Sequence, residues 1–431
     1  MPHHVAGTEV YTWALAKSLQ QKGNDVTILV PDYNSDILNE YKYDGLSVKR
    51  YPEPDKRDRL LMMGKRAPNG IDAFKQLIIE LQPDIVHVQE LAGSSGIGIY
   101  HLRALKKMGI RTVFTMHLAR YSCFCGTLMY KDKESCTGLI DIKRCTQCAL
   151  SKLPINNTAQ KILYNASMPL YNLNIDTAKL NNSIGTAFSY PFIIKKLRIS
   201  LFEIFDLCSK VIVLTDWYKE VLLENGVPAN KISVIKQALP YNTHISEVQI
   251  VKAGPSVSLI FIGRIDPIKG LHLLIDAIIN LPEDKIVLHL YGAVNDEAYF
   301  INLKNKTNGK KNIVWKGVLA QKDVVATMRD YDALILPSMF SEMSPLVIQE
   351  AFAAGIPVIG SNVYGIAEQI QDGVNGLLFQ FGDALALKKT LQKLINNPEL
   401  LNKLSENIKP VDGFKRVADE TENVYKSVLA V

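Results

Sequence analysis

Two series of short β-branched runs, each spaced by helical stretches, constrain this chain more than any other feature. The first series is DVTILV (25–30), IVHVQ (85–89), RTVFTMH (111–117) and KVIVLT (210–215). The second is SLIFIGR (258–264), IVLHLYG (286–292), NIVWKG (312–317), ALILPS (333–338), PVIGS (357–361) and GLLFQF (376–381). Runs that are apolar on both faces and separated by crossover helices are the pattern of buried parallel strands in doubly wound α/β sheets. Two such series predict two halves.

Length agrees, because 431 residues exceed what one hydrophobic core usually supports and point to two domains. KISVIKQALPYN is a strand-like piece ending in a Pro-containing turn, and it puts the boundary near residue 238. In the tail 414–431, Val417, Val424, Tyr425 and Val428 recur at helical spacing, enough for a helix that packs back across a cleft. The expected fold is therefore α/β, with two Rossmann-like domains facing a ligand across that cleft.

Hydrophobic residues make up 47% and charged residues 21% of the chain, which excludes a disordered composition. No signal-like start and no apolar run of membrane-spanning length is visible. Five of the six cysteines fall between Cys123 and Cys148, a clustering that fits a reducing compartment better than a disulfide framework. A cytoplasmic chain is expected. Its charge is uneven: residues 1–238 hold 30 Lys/Arg against 22 Asp/Glu, and residues 239–431 hold 19 against 21. That bias suggests an anionic partner for the first half, with a membrane surface and a charged substrate as alternatives to a plain solvated surface.

The chemistry concentrates in FSEMSPLVIQEAFAAGIPVIGS (340–361). Ser344 suits an N-cap and Pro345 the first helical position, with Gly355 as the stop after Ala354. Backbone amides at Leu346 and its neighbours, with the helix dipole, form an anion site at a strand's carboxyl end. Glu342 and Glu350 flank it as a Glu-x7-Glu pair. Carboxylates beside a phosphate site are unfavourable unless they hold hydroxyls, so a nucleotide sugar explains them, and two surface glutamates on a capped helix explain the pair alone equally well. In FIGRIDPIKGLHLLIDAI (261–278), a strand ends at Gly263, Arg264 follows, and Lys269 with Gly270 opens an amphipathic helix whose stripe is Leu271, Leu274, Ile275 and Ile278. Arg264 offers a planar fork and Lys269 a point charge to a diphosphate.

These two segments, in this order and about 80 residues apart, resemble the retaining GT-B glycosyltransferases of glycosyltransferase family 4, the glycosyl transferases group 1 type. The resemblance extends through PHHVAGTEVYTWALAKSLQQKGNDVTILV, similar to the family's glycine loop, first helix and second strand, and through FTMH, similar to its strand with a terminal donor-contacting His. Ala6 stands where the family has the first of a glycine pair, and Leu118 where an acidic residue is common. The resemblance implies that Arg264 and Lys269 hold the donor diphosphate, that Glu342 and His117 contact the donor sugar, and that Glu350 binds the ribose hydroxyls. The backbone of Ser344, Pro345 and Leu346 would grip phosphate and sugar, with Gly7 and Gly263 lining the donor site. It also implies an acceptor-binding domain over 1–238, a nucleotide-sugar domain over 239–413 and a crossover helix over 414–431.

The implied reaction is transfer of a sugar from a nucleotide-diphosphate sugar to a hydroxyl of a glycan or lipid-linked glycan, with retention and no required metal or cofactor, in polysaccharide, cell-surface glycan or glycolipid biosynthesis. Nucleic acid is not an expected partner. Alternatives are a sugar-nucleotide epimerase or hydrolase on the same fold, and a non-catalytic nucleotide-sugar-binding subunit. Asp330-Tyr331-Asp332 matches the Asp-x-Asp spacing of metal-dependent transferases, but it precedes a strand and reads as a helix end.

The segment of about 118–152 is a cysteine-rich insert. Cys123, Cys125, Cys136, Cys145 and Cys148 include one metal-clip pair, Cys145 with Cys148, so a structural zinc knuckle stands beside a loop of free thiols. Cys208 reads as a small buried hydrophobe. YPFIIKKLRISLFEIF reads as a core helix leading into the next strand, with a membrane-surface helix as the alternative. That alternative would place the protein peripherally on the inner face of the plasma membrane. His3 and His4 fall in the opening turn. Related chains begin with a strand before the glycine loop; here it is expected to be missing, about ten residues by usual strand length.

Overall fold

The computed structural model describes residues 7–53, 66–91, 96–177, 183–240 and 256–430; His3 and His4 lie outside them. The chain separates into two units, one of 1–126, 138–241 and 413–431, the other of 127–137 and 242–412.

In unit 1, β1 (Thr27–Asp32), β2 (Asn39–Tyr43) and β3 (Leu46–Pro52) form a sheet in the order β1-β3-β2. β2 and β3 are an antiparallel hairpin whose turn residues Asp44 and Gly45 both have positive φ, 49° and 78°. Such a turn matches the right-handed twist of paired strands. β4 (Val86–Val88) and β5 (Thr112–Met116) open a second, all-parallel sheet. A short hairpin follows, β6 (Met129–Tyr130) and β7 (Glu134–Ser135), which groups with unit 2. The second sheet then resumes with β8 (Lys210–Val213) and β9 (Ile232–Val234), giving the order β4-β5-β8-β9. Every residue of β5 is buried, as a strand covered on both faces requires.

The first helix, Gly7–Gln21, buries Tyr11, Ala14, Leu15, Ala16 and Leu19. The C-terminal helix, Phe414–Leu429, belongs to the same unit and packs on it. Tyr11 and Phe414 meet edge to face at 5.1 Å, and Lys22 pairs with Asp419 and with Glu422, the latter at 3.2 Å. The helix Tyr190–Leu207 buries Ile194, Leu201, Ile204 and Phe205 and leads through buried Cys208 into β8. This is the core helix that its sequence suggests. Burial pushes the Cys208 thiol up to about 12, so it behaves as a small hydrophobe.

Unit 2 holds a six-stranded parallel sheet built from β10 (Val257–Ile262), β11 (Ile286–Tyr291), β12 (Ile313–Gly317), β13 (Ala333–Leu336), β14 (Val358–Ser361) and β15 (Gly376–Phe379). The order β12-β11-β10-β13-β14-β15 is the doubly wound arrangement that reverses between its first and fourth strands, here β10 and β13. Ligands of such sheets bind at the carboxyl ends of the strands on either side of that reversal. The helix Leu271–Ile278 covers the sheet through Leu271, Leu274, Ile275 and Ile278, all fully buried. Both segments singled out in the sequence, 261–278 and 340–361, contain chain that follows β10 and β13.

Candidate active site

In unit 2, β10 ends at Ile262, and Gly263 and exposed Arg264 follow. Pro267–Lys269 forms a single 3-10 turn, capped by the Asp266 carboxylate, which accepts from the Ile268 amide at 3.1 Å. Gly270 then turns left-handed, with φ of 71°. A Cβ there would stand 1.8 Å from the Pro337 carbonyl oxygen, so both the backbone conformation and the space require glycine. The Met339 amide donates to the Ile268 carbonyl at 2.7 Å. The loops after β10 and β13 are thereby fastened side by side.

This fastening brings Lys269 to Glu342. Lys269 Nζ donates to Glu342 Oε1 at 2.6 Å, and Ser338 Oγ donates to the same oxygen at 2.8 Å. Both side chains of the ion pair are largely buried, and Lys269 Nζ lies 5.1 Å from the centre of the Phe340 ring. Bridging to one charged acceptor from an ammonium and a hydroxyl gives charge-assisted contacts of fixed geometry. Arg264 has no ion pair among the described residues and remains exposed.

The helix after the loop runs Leu346–Ala354 and stops at Gly355, left-handed at φ 81°. Its start departs from the sequence reading by one residue: Pro345 is the N-cap, with φ −68° and ψ 115°, and no side chain caps it. Ser344 is therefore not the cap. The extended ψ of Pro345 delays the first helical residue to Leu346, whose amide belongs to the uncapped first turn. The Ile348 amide donates back to the Pro345 carbonyl at 3.2 Å, so the amides of Leu346 and Val347 are the ones that stand without an intrahelical acceptor at the positive end of the dipole. Glu350 is buried on this helix and bonds Gln321 Nε2.

Gly365 lies in the helix Tyr364–Ala367, and no sequence motif marks it as a site residue. A Cβ there would stand 1.7 Å from the Glu342 carbonyl oxygen and 2.7 Å from that of Met343. Its nakedness lets this helix press against the backbone of the loop. Asp332 is occupied structurally: its carboxylate accepts from the Ser258 amide at 2.7 Å and its own amide donates to the Ser258 carbonyl at 2.8 Å. The Asp-x-Asp spacing thus ties β13 to β10.

In unit 1, His117 follows β5 and is buried. Its Nε2 faces Gln89 Oε1 at 3.1 Å, a carbonyl acceptor that selects the tautomer protonated on Nε2. Its ring meets Tyr11 edge on at 4.8 Å. Desolvation holds the imidazole down to about 3, so His117 is neutral at pH 7. The His117 amide donates to Glu90 Oε2 at 2.9 Å, and Tyr121 OH bonds the other Glu90 oxygen. Glu90 has φ of 123°, a strained backbone for a residue with a side chain, and burial raises its carboxyl to about 7. Nothing in the sequence flags Glu90. Gly7 opens the first helix, and a Cβ built on it meets nothing within 4 Å, so any steric demand for glycine there comes from outside the described protein atoms.

Among the described residues no group of three or more His, Cys, Asp or Glu is arranged to hold a metal. The cysteines are divided: Cys136 follows β7 in the hairpin that groups with unit 2, while the other four belong to unit 1. Cys125 meets the Cys148 thiol, which, with burial, pushes its own thiol far up. Cys145 Sγ turns to the Leu139 carbonyl at 3.8 Å.

Two family models match, "Glycosyltransferase Family 4" over residues 5–132 and "Glycosyl transferases group 1" over residues 245–411. The chain is 32% identical over 200 residues to an uncharacterised glycosyltransferase of Methanocaldococcus jannaschii, covering 46% of this chain and 53% of that one. It is 28% identical over 226 residues to the phosphatidyl-myo-inositol mannosyltransferase of Mycobacterium leprae, covering 49% and 56%. The chain spans little more than half the length of these curated relatives. Among solved structures, HepE of Anabaena in complex with UDP and glucose superposes with a TM-score of 0.61 at 15% identity, covering 99% of this chain and 96% of that one. At that identity the likeness shows the fold alone, which is the GT-B arrangement of two Rossmann-like units.

Proposed function

We propose that this chain, which carries a glycosyltransferase family 4 segment followed by a glycosyl transferases group 1 segment, is a retaining glycosyltransferase. It moves a sugar from a nucleotide-diphosphate sugar to a hydroxyl acceptor. The observation that carries the reading is the Lys269–Glu342 pair at 2.6 Å beside the uncapped start of the helix Leu346–Ala354. Two opposite charges and a row of amides there suit a ligand that joins phosphate to polyhydroxyl.

As the bond from the anomeric carbon to the diphosphate oxygen breaks, negative charge grows on the β-phosphate. Arg264, Lys269 and the Leu346 amides stabilise that charge where it appears, which is the largest contribution most enzymes make. Glu342 accepts hydrogen bonds from sugar hydroxyls, and Glu350 does so from the ribose. His117, neutral at pH 7 with its Nε2–H directed to Gln89, leaves Nδ1 to accept a hydrogen bond from a donor-sugar hydroxyl and adds no charge. With retention, the acceptor hydroxyl attacks from the face the diphosphate leaves, and the departing β-phosphate takes the hydroxyl proton. This leaves no step that requires a protein base. The donor set supplies the positive charge that a leaving diphosphate needs, so the reaction is proposed to be metal-independent.

The relatives support a role in polysaccharide, cell-surface glycan or glycolipid biosynthesis, one of them being named for mannosyl transfer to phosphatidyl-myo-inositol. Residues 151–200 hold six Lys/Arg against one Asp, with Ile162, Leu173, Ile175 and Ile199 exposed. Basic charge beside exposed apolar side chains supports a peripheral contact with an anionic membrane and a lipid-linked acceptor, on the cytoplasmic face of the plasma membrane. Among the described residues no helix is long and apolar enough to cross a membrane. A panel of UDP- and GDP-sugars, read by release of nucleoside diphosphate with and without glycan acceptors, tests the reading. Release that is lost in Arg264→Ala supports it, and isomerised donor without transfer would indicate an epimerase instead.

A further inference from the structure

The hairpin β6–β7 comes from the cysteine-rich segment, yet it packs in unit 2 against the loop that carries Glu342. The Ser341 amide donates to the Thr127 carbonyl at 3.0 Å. Ser341 Oγ stands 3.5 Å from the Leu128 carbonyl oxygen and 3.5 Å from Met129 Sδ. Ser341, Leu128 and Met129 are almost wholly buried. The hairpin is stiffly turned, with Lys131 at φ 52° and Asp132 at φ 58°, the paired left-handed residues of a tight β-turn. The Cys136 amide closes it by donating to the Leu128 carbonyl at 2.9 Å.

We infer that this hairpin is a positioning element for Glu342. The loop after β13 is held at three successive places: at Met339 by the Ile268 carbonyl, at Ser341 by the hairpin, and at Glu342 by the close approach of Gly365. The first and third anchors come from the sheet's own connections. The second comes from a segment more than 200 residues away in sequence, and it grips the residue adjacent to the carboxylate that meets Lys269. Side chains that must be placed within a fraction of an ångström are held by surrounding packing and hydrogen bonds, and a misplacement of about 1 Å costs about a hundredfold in rate. Met129 and Leu128 therefore act through Ser341 on the direction of the Glu342 carboxylate. They are positioning residues and touch no substrate.

The inference rests on the reading of Glu342 as a donor contact. The experiment compares Met129→Ala, Met129→Leu, Ser341→Ala and Glu342→Gln in the full chain. Steady-state turnover with the active nucleotide sugar, nucleoside diphosphate affinity by calorimetry and thermal midpoints are measured. Met129→Ala is expected to lower kcat about tenfold with nucleoside diphosphate Kd unchanged, and Ser341→Ala about threefold. Met129→Leu, which refills the volume, is expected to restore kcat. A lowered thermal midpoint with wild-type kcat in Met129→Ala and Ser341→Ala would overturn the inference, leaving a purely structural hairpin. Should Met129→Ala fail to fold, Ser341→Ala decides alone. Full turnover in Glu342→Gln would instead sink the reading of the site itself, whatever the hairpin variants do.

Discussion

Gly365→Ala is the sharpest perturbation that this structure offers, because it touches no proposed ligand contact and yet moves one. An alanine Cβ would stand 1.7 Å from the Glu342 carbonyl oxygen, 2.6 Å from its carbonyl carbon and 2.7 Å from the Met343 oxygen. Ordinary van der Waals contact begins at 3.4 Å, and all three atoms are backbone, so no flexible side chain can swing away. Either the helix Tyr364–Ala367 or the loop must retreat by more than 1 Å. Overpacking of this kind costs about 1–3 kcal/mol, a few degrees in thermal midpoint for a domain of this size. The loop is also fastened at Met339 and Ser341, so its displacement falls on Glu342 and pulls its carboxylate from Lys269. A shift of about 1 Å in a reacting constellation costs about a hundredfold in rate. The assay is release of nucleoside diphosphate from the active nucleotide sugar, with circular dichroism as a check of folding. A folded Gly365→Ala enzyme with wild-type turnover would refute the proposed dependence of catalysis on this loop.

Lys269→Ala and Glu342→Ala are each expected to lower transfer about a hundredfold or more, as loss of one preorganised contact does; steady-state kinetics decides. Stability should depend on pH through two opposing contributions. The Glu90 carboxyl is raised to about 7 by burial, so the native state binds its proton more tightly than the unfolded chain and its contribution to stability falls as pH rises from about 4.5 towards 7. His87 and His117 are held down to about 3 by desolvation, so their contribution is lost as pH falls below about 6.5. Between about pH 4.5 and 6.5 the two histidines outweigh Glu90, so urea melts at pH 4, 5, 6.5 and 8 should show stability rising with pH, more steeply in Glu90→Gln and less steeply in His87→Gln. Vesicles containing anionic lipid should float the protein at low salt and neutral vesicles should not. Replacing Lys195, Lys196 and Arg198 by Gln should abolish that difference.

The strands of unit 2 were legible because parallel strands covered on both faces leave unbroken β-branched runs, and the loops after β10 and β13 announce themselves by Gly263-Arg264 and Ser344-Pro345. The hairpin β2–β3 carried a usable signal, the Asp44-Gly45 turn between its strands. The hairpin β6–β7 did not: its turn places Lys131 and Asp132 in the left-handed region without a glycine, and its strands are two residues each. The burial of Met129 against Ser341 joins residues distant in sequence, which no local pattern records. The distribution of the cysteines is hidden from the spacing for the same reason. Cys145 and Cys148 share one helix, but Cys136 follows the chain into unit 2. Strain at Glu90 and the demand for glycine at position 365 arise only from tertiary packing.

The most direct measurement is the nucleotide-sugar panel run on the wild-type chain beside Arg264→Ala and Lys269→Ala. The expected result is release of UDP or GDP from at least one donor, stimulated by a hydroxyl acceptor, with the sugar transferred at retained anomeric configuration and the release lost in both variants. A folded chain that releases no nucleoside diphosphate from any donor, or one whose release is untouched by either substitution, would contradict it.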